Sequence, residues 1–517
     1  MPTEIAPASG PARTGSPRGR WAAGCLAASG TLLLAVAAAG ESAAVPGLGP
    51  VAAYPAWSFD LGPSSAVVAS LLSVAYLVGA VGLWLGLRAV VGGARVRRRT
   101  AVAATLVVCV AVLCVPPVGS GDHLNYAAYG RIAAAGDDPY VERPTSWRDG
   151  TDPVASASQP PWAGTRSVYG PVATATQALT SVIGGDSLRL TVWAWQLVVV
   201  AAFAGVGAML TRLASRASGA QSPTGAGRAA DLDAAGTRVL LLWTLNPFVV
   251  GPAVLGAHVD VLAVALAVAG VALAGRYPLL AGAAVGAAAA VKLPYALAAI
   301  ALCWGVRRLG RRGWGSLAQG VLGALAVWVP AHAWAGDHVY DQLERARSFV
   351  SLATPWRPLV DWLETDLPSE PVRAAVAGTA LPLALVVMAI VVVLVRRVPL
   401  AAGDPVTESS TRALLVLVGG WVLVAPYALP WYDVGLWAPL ALLAPSLVDR
   451  AVLARSLVLA LAYVPGRVVG LSQQVEDVTL GFRTLVAPWL IGAVLLLLAW
   501  WAVRSVVADR APVRAAG

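Results

Sequence analysis

One lysine stands among the 37 basic residues of this chain. Lys292 lies in the apolar run AAAAVKLPYAL, where no neighbour carries a charge. A compact ammonium with three rotatable donors differs from a guanidinium fork when it must meet a phosphate as a point charge. An ionisable group inside an apolar segment marks a functional site by default, and the plainer alternative is a side chain that snorkels to the interface. Acids and histidines supply the other candidates. Asp122 follows the apolar run ending at Val118, and Gly119 and Gly121 allow a tight exit from it. His258 and Asp260 share the segment VLGAHVDVLA. A carboxylate such as Asp122 can take the proton of an alcohol, while Lys292, His258 and Arg131 could hold a phosphate through charge-assisted hydrogen bonds. Phosphate leaves readily, so this chemistry needs no general acid on that side and no nucleotide. The plainer alternatives are that Asp122 caps a helix and that His258 and Asp260 close a turn.

Composition defines the elements that must position these groups. With 58% hydrophobic and 12% charged residues and a mean hydropathy of +0.71, the chain reads as an all-α polytopic membrane protein. Apolar spans are expected at 22–40, 64–90, 100–118, 188–211, 237–255, 257–275, 315–334, 373–395, 411–428, 434–448, 452–469 and 485–503. The stretch 278–306 is too long for one span, and Lys292 with Pro294 divides it into two half-helices. The total is roughly fourteen transmembrane or half-spanning helices. Placing the N-terminus in the cytoplasm puts Arg95, Arg97–Arg99, Arg276, Arg307, Arg308, Arg311, Arg312, Arg396 and Arg397 inside, and most acids outside. Lys292 then sits at the outer end of a short hairpin. The net charge of +10 is membrane orientation rather than a nucleic-acid footprint.

The expected organisation is a disordered cytoplasmic N-terminus at 1–20, a multi-pass domain at 21–508 and a cytoplasmic tail at 509–517. The termini face the cytoplasm and the reactive face is extracytoplasmic. Two outer segments, 119–187 and 335–372, are long enough to carry chemistry. In the first, GSGDHLNYAAYGRIAAAGDDPY predicts an interfacial helix from Leu124 to Ala135, with Leu124, Ala127, Ala128, Ile132 and Ala135 on one face. His123 and Tyr129 accompany Asp122 there as supporting groups. Asp137 and Asp138 resemble acidic metal ligands, but the proline that follows favours a turn. In the second segment Trp356 and Trp362, together with Trp431, Tyr432 and Asp433 further along, offer aromatic faces and polar edges for sugar rings; Tyr427 converges on the same face. The plainer alternative is an interfacial aromatic belt, since the chain holds 20 tryptophans. No Walker or Gly-rich nucleotide loop occurs. A secondary transporter or lipid-carrier flippase would need polar residues along a path through the bilayer, and a wall-assembly scaffold would not explain the clustered titratable groups.

At these residues the chain resembles the actinobacterial polyprenol-phosphate-mannose-dependent α-1,6-mannosyltransferases of lipomannan and lipoarabinomannan assembly. The resemblance rests on the Asp122-bearing loop start, the turn VYGPVA, the segment LNPFVVGPAVLGAHVD and the run AAVKLPYAL, in that order, and covers about 100–450. It implies the GT-C architecture, a mannose donor β-linked to a polyprenyl phosphate, a lipid-anchored mannan acceptor, inversion in one displacement, and Asp122 as catalytic base. It implies no required cofactor and leaves a divalent metal open; another lipid-phosphate sugar, such as arabinose, remains an alternative donor. Related sequences often read GAHND where this one reads GAHVD, so Val259 replaces an amide that could hydrogen bond.

Overall fold

The computed structural model describes residues 17–50, 52–219 and 232–510. The expected N-terminal tail up to residue 16, residues 220–231 and the expected C-terminal tail from 511 onward lie outside the described residues. Among the described residues there is no strand, and the chain is an all-α polytopic membrane protein. Seven helical stretches are long and apolar enough to cross a membrane, the longest being Gln473–Asp509.

The first pair, α1 (Pro17–Ala38) and α2 (Ser65–Val91), runs antiparallel at close range. Small residues allow the approach: a Cβ on Gly82 would lie 2.9 Å from the Cys25 Cβ. Ser29 Oγ donates to the Ala75 carbonyl at 2.7 Å across the same seam. Next come α3 (Arg98–Cys114), α4 (Asp122–Ala134), α5 (Pro171–Gly184) and the long α6 (Leu188–Gly219). Helix α4 departs from the expectation of an interfacial helix, because it is buried all round, Tyr126 and Tyr129 as well as Leu124 and Ile132. Helix α5 covers it so closely that a Cβ on Gly130 would stand 2.3 Å from the Gln177 carbonyl oxygen.

A broken path follows through α7 (Ala234–Val239), α8 (Pro247–Val249) and two π-turns, Leu240–Thr244 and Val250–Leu255. It leads to α9 (Asp260–Leu273), α10 (Pro278–Val291) and α11 (Leu297–Val306). Helix α10 has 14 residues and rises about 21 Å, short of a ~30 Å hydrocarbon core. It stops at Lys292, whose backbone is extended (φ −152°, ψ 117°). Pro294 in the following 3-10 turn forbids the helix from continuing, and α11 returns. The partner of α10 is α12 (Arg312–Ala335), where a Cβ on Gly282 would lie 1.8 Å from the Gly320 carbonyl oxygen.

The remainder comprises α13 (Asp341–Arg347), α14 (Trp356–Leu363), α15 (Ser369–Val395), α16 (Pro405–Val424), α17 (Val434–Leu440), α18 (Leu447–Ala462), α19 (Gln473–Gly481) and α20 (Ala487–Arg510). The spans expected at 434–448 and 452–469 are instead the seven residues of α17 and the 16 of α18. Pro439 and Pro445 break the first apolar run, and a capping box of Ser446 and Asp449 starts α18 early. Asp449 also accepts from Arg238 of α7 at 2.5 Å, a buried pair that ties the last turn of α7 to the first turn of α18.

Candidate functional site

Glycines shape the N-terminal end of α4. Gly119 turns the chain at φ +87°, and Gly466 lies against it so closely that a Cβ there would stand 2.0 Å from the Gly119 carbonyl oxygen. Gly121 is the N-cap residue of α4 and has no side chain with which to cap it. The Asp122 carboxylate is therefore not spent on the helix end and lines a cavity instead. Its own N–H donates to Ser120 Oγ at 2.9 Å. Burial pushes the carboxyl up to about 6, against the opposing effects of the Ser120 hydroxyl and the Lys292 charge.

His258 comes to Asp122 from the turn after the second π-turn. Its Nδ1 is 3.6 Å from Asp122 Oδ2, a close contact rather than a hydrogen bond, and 3.3 Å from the Tyr126 hydroxyl. The ring stacks on Trp431 with centroids 3.6 Å apart. Ala257 holds this turn in the left-handed region at φ +53°, which costs about 1–2 kcal/mol, and Trp195 Nε1 donates to its carbonyl at 2.7 Å. Val259 points into the core, so the position that often carries an amide elsewhere has become packing.

Lys292 reaches the same cavity from the break between α10 and α11. Its Nζ donates to Asp260 Oδ1 at 2.7 Å and lies 3.9 Å from the centre of the Tyr432 ring. Asp260, the first residue of α9, is buried, so the two charges cancel at the cavity wall. The VYGP turn braces this break: the Gly170 N–H donates to the Val291 carbonyl at 3.0 Å, and a Cβ on Gly170 would lie 2.2 Å from the Ala290 oxygen. Tyr169 of the same turn meets Tyr126 edge-on at 5.1 Å.

Two compartments of about 200 Å³ each meet at Asp122. The first is mostly aromatic, with Tyr126, Tyr129, Tyr169, Phe349 and Tyr432 beside Lys292. The second adds Gln159, Arg467 and Arg483. Asp122, Trp162, Tyr427, Leu429 and Trp431 line both.

The family described as alpha-(1->6)-mannopyranosyltransferase, N-terminal domain (MptA_B family), matches residues 24–308, more than half of the chain. The chain belongs to this family. Comparison with curated proteins and with solved structures gives no significant match. The region shared with these mannosyltransferases holds Asp122, His258, Asp260 and Lys292. It does not extend to Tyr427, Trp431, Tyr432, Arg467 or Arg483, which complete the site from the other half of the chain.

Several expected site residues stand elsewhere. Arg131 lines neither compartment; it donates to Asp152 at 2.9 Å, to Asp186 and to the Gly185 carbonyl, stitching α4 to the start of α6. His123 is fully buried, and burial together with the Arg467 charge pushes its imidazole down to about 3, so it is neutral. Asp433 faces the interior, paired with Arg455 and accepting from Ser456 Oγ at 2.7 Å. Trp356 donates to the Val424 carbonyl at 2.7 Å on the far side of that pair, and Trp362 is 69% exposed away from both compartments. Tyr129, Trp431 and Tyr432 do line the cavity. Asp137 accepts from Trp147 Nε1 at 2.9 Å and Asp138 from the Tyr140 N–H at 2.8 Å, both as turn residues. Among the described residues no three His, Cys, Asp or Glu side chains gather as a metal set. Sequence reasoning missed Phe349, Arg467 and Arg483, since one arginine among 36 carries no signal of its own.

Proposed function

We propose that this chain transfers mannose from a polyprenyl-phosphate carrier to the 6-hydroxyl of a lipid-anchored mannan at the outer face of the cytoplasmic membrane. In one displacement the acceptor oxygen bonds to the anomeric carbon while its proton passes to Asp122. The bond from that carbon to the phosphate oxygen breaks, and its electron pair leaves with polyprenyl phosphate. The configuration inverts, from a β-linked donor to an α-1,6 product. His258, wedged between Trp431 and Tyr126, packs its Nδ1 against the Asp122 carboxylate at 3.6 Å and limits where that carboxylate can turn. The ammonium of Lys292 keeps N–H donors for substrate oxygens, while Asp260 fixes its position. The aromatic walls suit mannose rings, whose C–H faces are apolar.

The observation that carries this reading is the Asp122 carboxylate, which caps no helix end and stands where two compartments meet, because a two-substrate transfer needs its base at such a junction. The test is Asp122→Asn in membranes supplied with labelled polyprenyl-phosphate mannose and a short mannan primer. Transfer is expected to fall by about 10²–10⁴-fold with expression and unfolding temperature unchanged. Turnover within a few-fold of the parent protein would remove Asp122 from the mechanism, and product from nucleotide sugar alone would remove the lipid donor.

A further inference from the structure

We propose that Arg467 and Arg483 seat the phosphate of the lipid-linked donor, in the compartment across Asp122 from Lys292. This rests on the transfer reading above and names the side from which the donor enters. When the sugar leaves, a phosphodiester carrying one negative charge becomes a monoester carrying more. A site that favours this step needs positive charge that nothing else has neutralised. Lys292 does not supply it, because Asp260 cancels its charge at 2.7 Å. Arg131, Arg238 and Arg455 are likewise bound to carboxylates.

Arg467 and Arg483 differ. Among the described residues neither makes an ion pair, although the Glu41 carboxylate acts on Arg467 through space, so Arg483 carries the less compensated charge; both line the compartment that Asp122 borders. Arg467 is held by neutral acceptors: the Ser42 carbonyl, the Val45 carbonyl at 2.9 Å and Gln159 Oε1 at 2.6 Å. Its Nε is buried with no hydrogen-bond partner. Arg483 donates to the Ala462 carbonyl and lies 4.5 Å from the centre of the Tyr463 ring. It sits on the π-turn Phe482–Val486, an interruption of the helix of the kind that often marks functional positions. Next to the two cations the surface becomes apolar and open: Val468 follows Arg467, and Leu485 lies two residues beyond Arg483. A phosphate between the arginines could therefore keep its prenyl chain in lipid. The aromatic compartment beside Lys292 is left for the acceptor mannan, which places attacking and leaving oxygens on opposite sides of the anomeric carbon.

The test uses the full-length enzyme in membranes, with Arg483→Gln and Arg467→Gln compared with Arg483→Lys and Arg467→Lys. KM for polyprenyl-phosphate mannose and the inhibition constant of polyprenyl phosphate should each rise about tenfold or more in the glutamine variants. KM for the mannan primer should stay within about twofold, and the lysine variants should recover part of the loss. Arg467 also anchors the loop after α1, so Arg483 is the safer variant if Arg467→Gln unfolds. An unchanged product inhibition in Arg483→Gln, with a loss in Lys292→Gln, would overturn the seat. Inorganic phosphate competing as well as polyprenyl phosphate would make it a free-phosphate site and overturn the lipid assignment. If the parent protein fails to use the lipid donor, the transfer reading falls by itself. Direct binding of polyprenyl phosphate, present in the parent and lost in Arg483→Gln, would still support the seat.

Discussion

The two cation sites beside Asp122 are built in opposite ways. On one side Lys292 emerges from a broken apolar hairpin and is bound by a buried carboxylate, Asp260. On the other side Arg467 and Arg483 come from the end of the bundle nearest α18 and α19, anchored by carbonyls, an amide and a ring. The first arrangement fixes a position at zero net charge. The second keeps its charge for something that arrives later. A rare residue in the sequence is thus not necessarily the one that supplies the field, because a charge counts for chemistry only after its partner has been subtracted.

The largest effect that would break this comparison is on stability. Lys292→Gln leaves Asp260 as an unpaired buried carboxylate and is expected to destabilise the protein by about 3 kcal/mol or more. The double variant Lys292→Gln with Asp260→Asn should regain most of that loss, because neither charge then remains. Thermal unfolding in detergent measures both, and an unchanged unfolding temperature in the single variant would mean the pair holds nothing. Arg483→Gln should move the same transition far less, its role being toward ligand.

The pH dependence sharpens the comparison next. In the proposed mechanism the Asp122 carboxyl, raised by burial to about 6, serves as base above that pH and is protonated below it. The rate kcat/KM should therefore be steady near neutrality and fall as pH drops through about 6. Lys292 opposes the rise, so Lys292→Gln should move the acid limb to higher pH, whereas Arg483→Gln should leave it in place. A limb that shifts with Arg483 and not with Lys292 would reverse the assignment of the two sides.

The smallest expected effect separates cavity aromatics from surface ones. Trp162 lines both compartments, and its ring lies 5.6 Å from Phe349. Trp162→Ala should raise the acceptor KM several-fold, in line with roughly 0.5–1.5 kcal/mol for an aromatic contact. Trp362→Ala, on an exposed face, should leave it unchanged. Equal effects would return the tryptophans to a general interfacial belt.

The legible parts of the site were those with local signals. Asp122 could be found because it directly follows an apolar run and two glycines. Lys292 could be found because Pro294 and a charge interrupt an over-long span. Arg131 was misplaced because its partners, Asp152 and Asp186, lie 21 and 55 residues away, and no local pattern announces them. Asp433 was misplaced for the same reason, its partner Arg455 being a full helix later.

By itself the sequence determined the class of molecule, the broken hairpin at Lys292 and the acid at the start of α4, since hydropathy, proline and glycine act over a few residues. It also carried enough of the family pattern to place residues 24–308. Only the tertiary structure decided which charges are cancelled and which remain. Pairing depends on which helices pack side by side, and close glycine contacts such as Gly282 against Gly320 and Gly466 against Gly119 bring together segments tens to hundreds of residues apart.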